Sequence, residues 1–192
     1  MTCAVALVHD DGKISIGVDS AATAGQSLDL VGVDNNKVFR KKAGDGLCLI
    51  AASGKARFLQ ILECHVDLPA LPNSRDQKAM MRWVVVSVID AVRLKLKEQG
   101  MMTTKDGFDE APGSFLLGVC GRLYEIDGGL FVKAIIDTYA AIGSGATEAR
   151  GALFAITKLK IRCNPETAIR TALKAAERFT PTVRAPFKII HL

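Results

Sequence analysis

Thr2 is the residue with the most chemical promise in this chain. Methionine aminopeptidases remove Met1 efficiently when the second residue is small, and their action here would leave a hydroxyl and a free amine on one residue. A free α-amino group has a pKa of about 7.7–8.0, so near neutral pH part of it is unprotonated and able to take the hydroxyl proton. Nucleophile and base would then sit on the same residue. Other catalytic patterns fail on spacing. Gly143-Ser144-Gly145 is not the GxSxG elbow of serine hydrolases, nor is it GxGxxG, because Glu148 stands where the third glycine belongs. Ser53-Gly54-Lys55 has no Ser or Thr after the lysine, as a phosphate-binding loop requires. His9, His65 and His191 fall on a turn, a helix end and the penultimate position, and no carboxylate marks any of them as the held base of a triad.

The elements that must position Thr2 follow from periodicity and turn chemistry. Residues 3 to 9 and 13 to 19 are apolar, β-rich runs around Asp10-Asp11-Gly12, which predicts a hairpin. A loop rich in Gly and Asp is expected through Gly32. A second strand pair, Lys37 to Arg40 and Leu47 to Ala52, follows around Gly44-Asp45-Gly46. Helical spacing then covers Lys55 to about His65. A long helix is expected from about Arg75 to Glu98, with Asn73-Ser74 as cap chemistry and Gly100 as its stop. Met80, Met81, Val84, Val85, Val88, Ile89, Val92 and Leu96 form the broad apolar stripe of a helix that covers a sheet.

Met101 to Gly113 is polar and reads as a mobile loop. Four strands are expected at Ser114 to Val119, Arg122 to Asp127, Phe131 to Ile135 and Thr138 to Ile142. Helices follow from Ala146 to Leu159 and, capped by Asn164-Pro165, to about Arg178, with a closing strand at Phe187 to Ile190. Strands, two helices, strands, two helices and a last strand predict an α+β fold: a four-layer αββα sandwich, two antiparallel sheets with helix pairs outside.

Composition narrows the function classes. With 192 residues, 49% hydrophobic and 23% charged, the chain can bury one core, and a single domain over 1–192 is expected. No apolar run is long enough to span a bilayer, and the start lacks a basic region and cleavage site, so no membrane association and a cytoplasmic location are expected. The net charge of +5 is scattered, and aromatics, at 6%, do not interleave with it, which argues against nucleic acid as a partner. Cys3, Cys48, Cys64, Cys120 and Cys163 are odd in number and widely spaced, without metal-ligand spacing, and read as reduced core thiols.

Thr2 opens a series of five blocks that give it context. Thr2-Cys3-Ala4-Val5, then Gly17-Val18-Asp19-Ser20-Ala21-Ala22-Thr23-Ala24-Gly25, Lys37-Val38-Phe39-Arg40, Ala52-Ser53-Gly54 and Ala141-Ile142-Gly143-Ser144-Gly145 resemble, in order, the signature blocks of proteasome β-type subunits. Within that family the last block and the short C-terminus are most similar to HslV-type peptidases. The resemblance implies the N-terminal nucleophile (Ntn) hydrolase fold and a threonine peptidase. Carried over by motif, Thr2 is the nucleophile and Asp19 with Lys37 the charged pair beneath it. Gly54 offers its N–H to the oxyanion, and Ser144 bonds the threonine amine and relays protons. A lysine ammonium near the hydroxyl would favour the alkoxide, and a carboxylate would keep that lysine charged against desolvation. A helix N-terminus after Gly54 suits an oxyanion, while Ser144 could equally be a helix N-cap.

Ser20 and Glu177 are supporting candidates, Glu177 being the nearest carboxylate to the family's acidic position. Ala176, Phe179 and Thr182 fall where HslV places a structural sodium ion built largely from carbonyls; no other cofactor is implied. The resemblance further implies a homo-oligomeric ring or double ring, a protein or peptide substrate and an AAA+ ATPase unfoldase as partner. The chain departs from the family at Lys55 and Arg57, which replace small and acidic residues, and at a tail from Pro186 to Leu192 unlike that of HslV. Two alternatives stay open: a divergent Ntn amidohydrolase acting without an ATPase, and an inactive ring-forming homologue.

Overall fold

The structure is a computed structural model and describes residues 2–24, 27–30 and 37–192. Met1 and much of the expected Gly/Asp loop, including Gly25 and Gly32, lie outside the described residues.

The first hairpin, β1 (Cys3–Val8) and β2 (Ile14–Val18), forms around Asp10-Asp11-Gly12 as expected, because Gly12 adopts a φ of 82° that the turn requires. A short hairpin follows, β3 (Ala21–Ala24) and β4 (Ser27–Leu30), in a stretch expected to be loop. Its small and polar residues carry no alternating apolar signal. Next come β5 (Val38–Ala43) and β6 (Gly46–Gly54), then helix α1 (Ala56–Cys64).

The long apolar stripe forms one continuous rod of three parts. These are α2 (Gln77–Arg82), a π-helical segment Trp83–Val88 and α3 (Ile89–Glu98). Its cap is Asp76, whose carboxylate accepts from the Ala79 N–H at 2.8 Å, and not Asn73-Ser74. The wider π turn shifts the stripe: Val84, Val88, Ile89, Val92 and Leu96 are buried, while Val85 and Val86 face outward.

The polar segment expected to be a mobile loop forms a small hairpin, β7 (Thr103–Lys105) and β8 (Phe108–Glu110). It is pinned by Asp109, which pairs with Lys97 at 2.8 Å and Arg93 at 3.5 Å on α3. The rest follows the sequence closely: β9 (Gly113–Val119), β10 (Arg122–Ile126), β11 (Val132–Ala134), β12 (Tyr139–Gly143), α4 (Ala146–Lys158), α5 (Pro165–Phe179) and β13 (Lys188–His191). Asn164 caps α5 as expected, accepting from the Thr167 N–H at 2.7 Å.

The strands make two antiparallel sheets, ordered β12-β1-β2-β13 and β11-β10-β9-β6-β5. Between them lies an apolar layer that includes Ala4, Ala6, Ile16, Leu49, Ala51 and Leu116. Cys3, Val5 and Ala141 face the other way and pack with Ile169, Leu173 and Ala176 of α5. On the far side of the second sheet, Cys48, Ile50 and Ala52 pack with α1 and the long rod. This is the αββα sandwich. Period-two alternation therefore sorts β1 and β6 each into one inter-sheet face and one helix-facing side. No helix among the described residues is long and apolar enough to cross a membrane.

One sequence reading needs correction. Only Cys3 and Cys48 are core thiols, whereas Cys64, Cys120 and Cys163 are exposed; all five are free. Of the histidines, two converge on one buried hydroxyl. Ser15 Oγ lies 2.6 Å from His9 Nε2 and 2.5 Å from His191 Nδ1, tying β13 to β2. Because the hydroxyl has one proton, one ring donates and the other accepts. Burial, with His191 and Lys13 nearby and opposed by Asp11 and Asp10, holds His9 below the usual histidine range. The unfolded chain then binds more protons as pH falls past about 6.5, so His9 contributes stability at neutral pH that is lost on acidification. His9→Gln should reduce the drop in melting temperature between pH 7.5 and pH 5.5, as read by thermal denaturation.

Candidate active site

Thr2 enters the sandwich immediately before β1, at the end of the inter-sheet space, and is 3% exposed. Its carbonyl is clamped from the β12–α4 corner: the Ser144 N–H donates to it at 2.8 Å and the Ser144 hydroxyl at 3.4 Å. Gly143 makes that approach possible. It has a φ of 92°, and a Cβ there would lie 1.9 Å from the Thr2 carbonyl oxygen.

Asp19 follows β2 and Lys37 precedes β5, both almost fully buried at 2% and 7% exposed. Lys37 Nζ donates to Asp19 Oδ1 at 2.8 Å and to the Ala21 carbonyl at 2.5 Å. Asp19 is held in turn by the N–H groups of Cys3, 2.9 Å from Oδ1, and Ala21, 3.1 Å from Oδ2. The Cys3 bond ties the carboxylate to the residue next to Thr2. Burial pushes Lys37 below the usual lysine range, and Asp19 opposes that shift. A carboxylate thus favours the ammonium in a place where desolvation disfavours it. The neighbouring Cys3 thiol, buried and close to Asp19, is pushed up to about 12 and stays protonated near neutral pH.

Gly54 ends β6 with a φ of 142°, and a Cβ there would lie 2.4 Å from the Pro112 carbonyl. The Ala52 N–H goes to the Lys37 carbonyl on the β5 flank, and the Lys55 N–H goes to the Pro112 carbonyl on the β9 flank. Alternation therefore directs the Gly54 N–H to the flank away from β9, the same side as Lys37.

The supporting candidates gather on one segment, residues 180–186, that runs from α5 to β13. Ser20 receives no carboxylate; its N–H donates to the Arg184 carbonyl at 2.9 Å and its hydroxyl to the Pro186 carbonyl. Glu177 accepts from the Ala185 N–H at 2.8 Å, and so braces this segment from below. The Thr182 hydroxyl lies 3.1 Å from that of Ser144. The Ala176 carbonyl accepts from the Thr180 N–H at 2.8 Å, and Phe179 is mostly exposed. Ser144 does not cap α4: the N-cap is Gly145, without a side-chain bond, and the Ser144 hydroxyl is left to Thr2 and Thr182. Sequence reasoning missed Thr182 as a partner of Ser144. A Thr-Pro-Thr corner after a helix carries no local mark of what it touches.

The arrangement holds the Thr2–Cys3 backbone between the Ser144 clamp on one carbonyl and a buried Asp19–Lys37 pair bonded to the Cys3 N–H. No protein-family model matches the sequence, and no curated protein matches it. Solved structures do. A BPH from Thiobacillus denitrificans, in complex with epoxomicin, is 22% identical, with 98% of this chain and 97% of that one covered and a TM-score of 0.74. Eukaryotic HslV from Trypanosoma brucei is 17% identical, with 98% of each chain covered and a TM-score of 0.64. Anbu from Pseudomonas aeruginosa, described as a helical assembly, is 18% identical, with all of this chain and 81% of that one covered and a TM-score of 0.63. The chain has the fold of these proteins, the Ntn hydrolase sandwich.

Proposed function

We propose that residues 1–192 act as one unit, a threonine peptidase of a proteasome-like particle that cleaves peptide bonds with Thr2 after Met1 is removed. The observation that carries this reading is the convergence on the Thr2–Cys3 backbone of Asp19, paired with buried Lys37 and bonded to the Cys3 N–H, and of the Ser144 N–H and hydroxyl on the Thr2 carbonyl. The Thr2 amine takes the Oγ proton, and Oγ attacks the substrate carbonyl carbon. The Lys37 ammonium lowers the cost of the alkoxide, and the Gly54 N–H receives the oxyanion. As the tetrahedral intermediate collapses, the amine proton passes through Ser144 to the leaving amide nitrogen, and an ester remains on Thr2. Water, deprotonated by the same amine, hydrolyses that ester and restores the hydroxyl.

The chemistry calls on no cofactor. The Ala176 and Phe179 carbonyls at the end of α5 and the Thr182 hydroxyl just beyond it are the oxygens that we propose would hold a structural sodium ion, since carbonyl and hydroxyl oxygens have lone pairs to spare beyond one hydrogen bond. Exposed apolar side chains, Phe108, Phe131, Ile136 and Phe154 among them, favour assembly of several copies, which we propose to be a closed ring or double ring in the cytoplasm served by an AAA+ ATPase. Electron microscopy tests the ring, and an open helix of the kind described for the Pseudomonas Anbu would overturn it. Co-purification with an ATPase tests delivery.

The experiment for the chemistry is mass spectrometry with epoxomicin, the compound bound in the Thiobacillus structure. The purified chain should lack Met1 and gain the mass of one inhibitor, located on Thr2. A chain that keeps Met1, or that is labelled elsewhere, overturns the reading.

A further inference from the structure

Ser53 stands one residue before Gly54, and its hydroxyl lies at the same Gly143 corner as the Thr2 carbonyl. On β6, Leu49 and Ala51 belong to the inter-sheet layer, while Cys48, Ile50 and Ala52 face the helices. Continuing the alternation puts Ser53 on the inter-sheet face, as Ala4 and Ala6 put Thr2 there from β1. The contact at Gly143 confirms the direction. A Cβ on that glycine would lie 1.9 Å from the Thr2 carbonyl oxygen and 2.9 Å from Ser53 Oγ, so the two groups converge on one point. Ser53 is half-buried, and its hydroxyl has no hydrogen bond among the described residues.

Hydroxyls in such places ordinarily bond a nearby carbonyl. Here the Thr2 carbonyl, at the same corner, already accepts from the Ser144 N–H and hydroxyl. The donor is left without a protein acceptor at the corner of the Thr2 carbonyl, one residue before the N–H of Gly54.

We infer that the Ser53 hydroxyl is a second oxyanion donor, acting with the Gly54 N–H on the tetrahedral intermediate formed at Thr2. The inference rests on the threonine peptidase reading. No bond to Ser53 forms or breaks: its O–H donates as negative charge develops on the former carbonyl oxygen, and the bond relaxes when the acyl ester forms. Such a donor acts on the transition state more than on the bound substrate.

The test is Ser53→Ala in the full chain, with peptide turnover measured at saturating and limiting substrate. A fall in kcat of roughly 10²-fold with little change in KM is expected. Ser53→Thr, which keeps the hydroxyl, should recover most of the rate. A peptide boronate, whose adduct with Thr2 is tetrahedral, should lose affinity for Ser53→Ala by a similar factor, while the corresponding peptide acid should not. Ser53→Cys keeps the volume with a weak donor and should behave like alanine, so it serves if the alanine variant fails to fold. An unchanged kcat in both variants overturns the inference and leaves the Thr2 reading standing, as does a change confined to KM. Wild-type turnover that survives Thr2→Ala overturns both.

Discussion

Thr2→Ala is expected to abolish peptide hydrolysis while leaving the fold intact. The substitution removes only a hydroxyl and a methyl group from a residue whose backbone does the structural work. The Thr2 carbonyl would still accept from Ser144, and β1 would still pair with β2 and β12. Removal of a nucleophile from an acyl-transfer site costs roughly 10⁴-fold or more in kcat, because the remaining donors can only stabilise attack by water. Thr2→Ser keeps the hydroxyl and the amine and should retain measurable turnover. The measurement is initial-rate hydrolysis of an unstructured peptide by parent and variants of equal melting temperature. Equal rates for parent and Thr2→Ala would end the threonine mechanism.

The second large effect is expected at the Asp19–Lys37 pair, and it should be asymmetric. Asp19→Ala strands Lys37 in a site where burial already opposes its charge, and it also deprives the Cys3 and Ala21 N–H groups of their acceptor. Breaking a buried pair from one side typically costs about 3–5 kcal/mol. Lys37→Met removes the cation and fills its space with apolar volume, while Asp19 keeps both N–H donors. That variant should lose less stability by urea denaturation. Both should lose activity, because the alkoxide of Thr2 loses its cation in either case: directly in Lys37→Met, and through a neutralised lysine in Asp19→Ala. The double variant should be no less active than the worse single one, since the two residues act as a unit. An Asp19→Ala protein as stable as the parent would show that the pair does not brace the site.

The sequence was readable where its signals are local. The Asp10-Asp11-Gly12 hairpin, the Asn164 cap and the apolar stripe of the long helix all formed where their patterns lie, because turn chemistry and periodicity act over a few residues. The failures share a physical cause. β7 and β8 are exposed and polar, held by Asp109 to cations on the preceding helix, a pairing that strand propensity and alternation do not register. The π turn at Trp83–Val88 keeps the look of an α-helical stripe while Val85, expected within it, faces outward. The three exposed cysteines depend on which end of each strand or helix meets solvent, a matter of packing that composition does not carry.

At the site the division is sharper. The residue types came from the sequence alone: a threonine behind a removable methionine, an aspartate after one strand, a lysine before another and glycines at two corners. Their order, and the alternation that turns Thr2 and Ser53 inward, are properties of single strands and follow from covalent geometry. Tertiary structure decided which of them meet. The Ser144 clamp, the Thr182 contact and the free Ser53 hydroxyl arise where β12, the segment after α5 and β6 arrive at one end of β1 from distant parts of the chain. Such meetings are set by sheet register and by how closely a glycine lets two backbones approach, and no local pattern of residues encodes them.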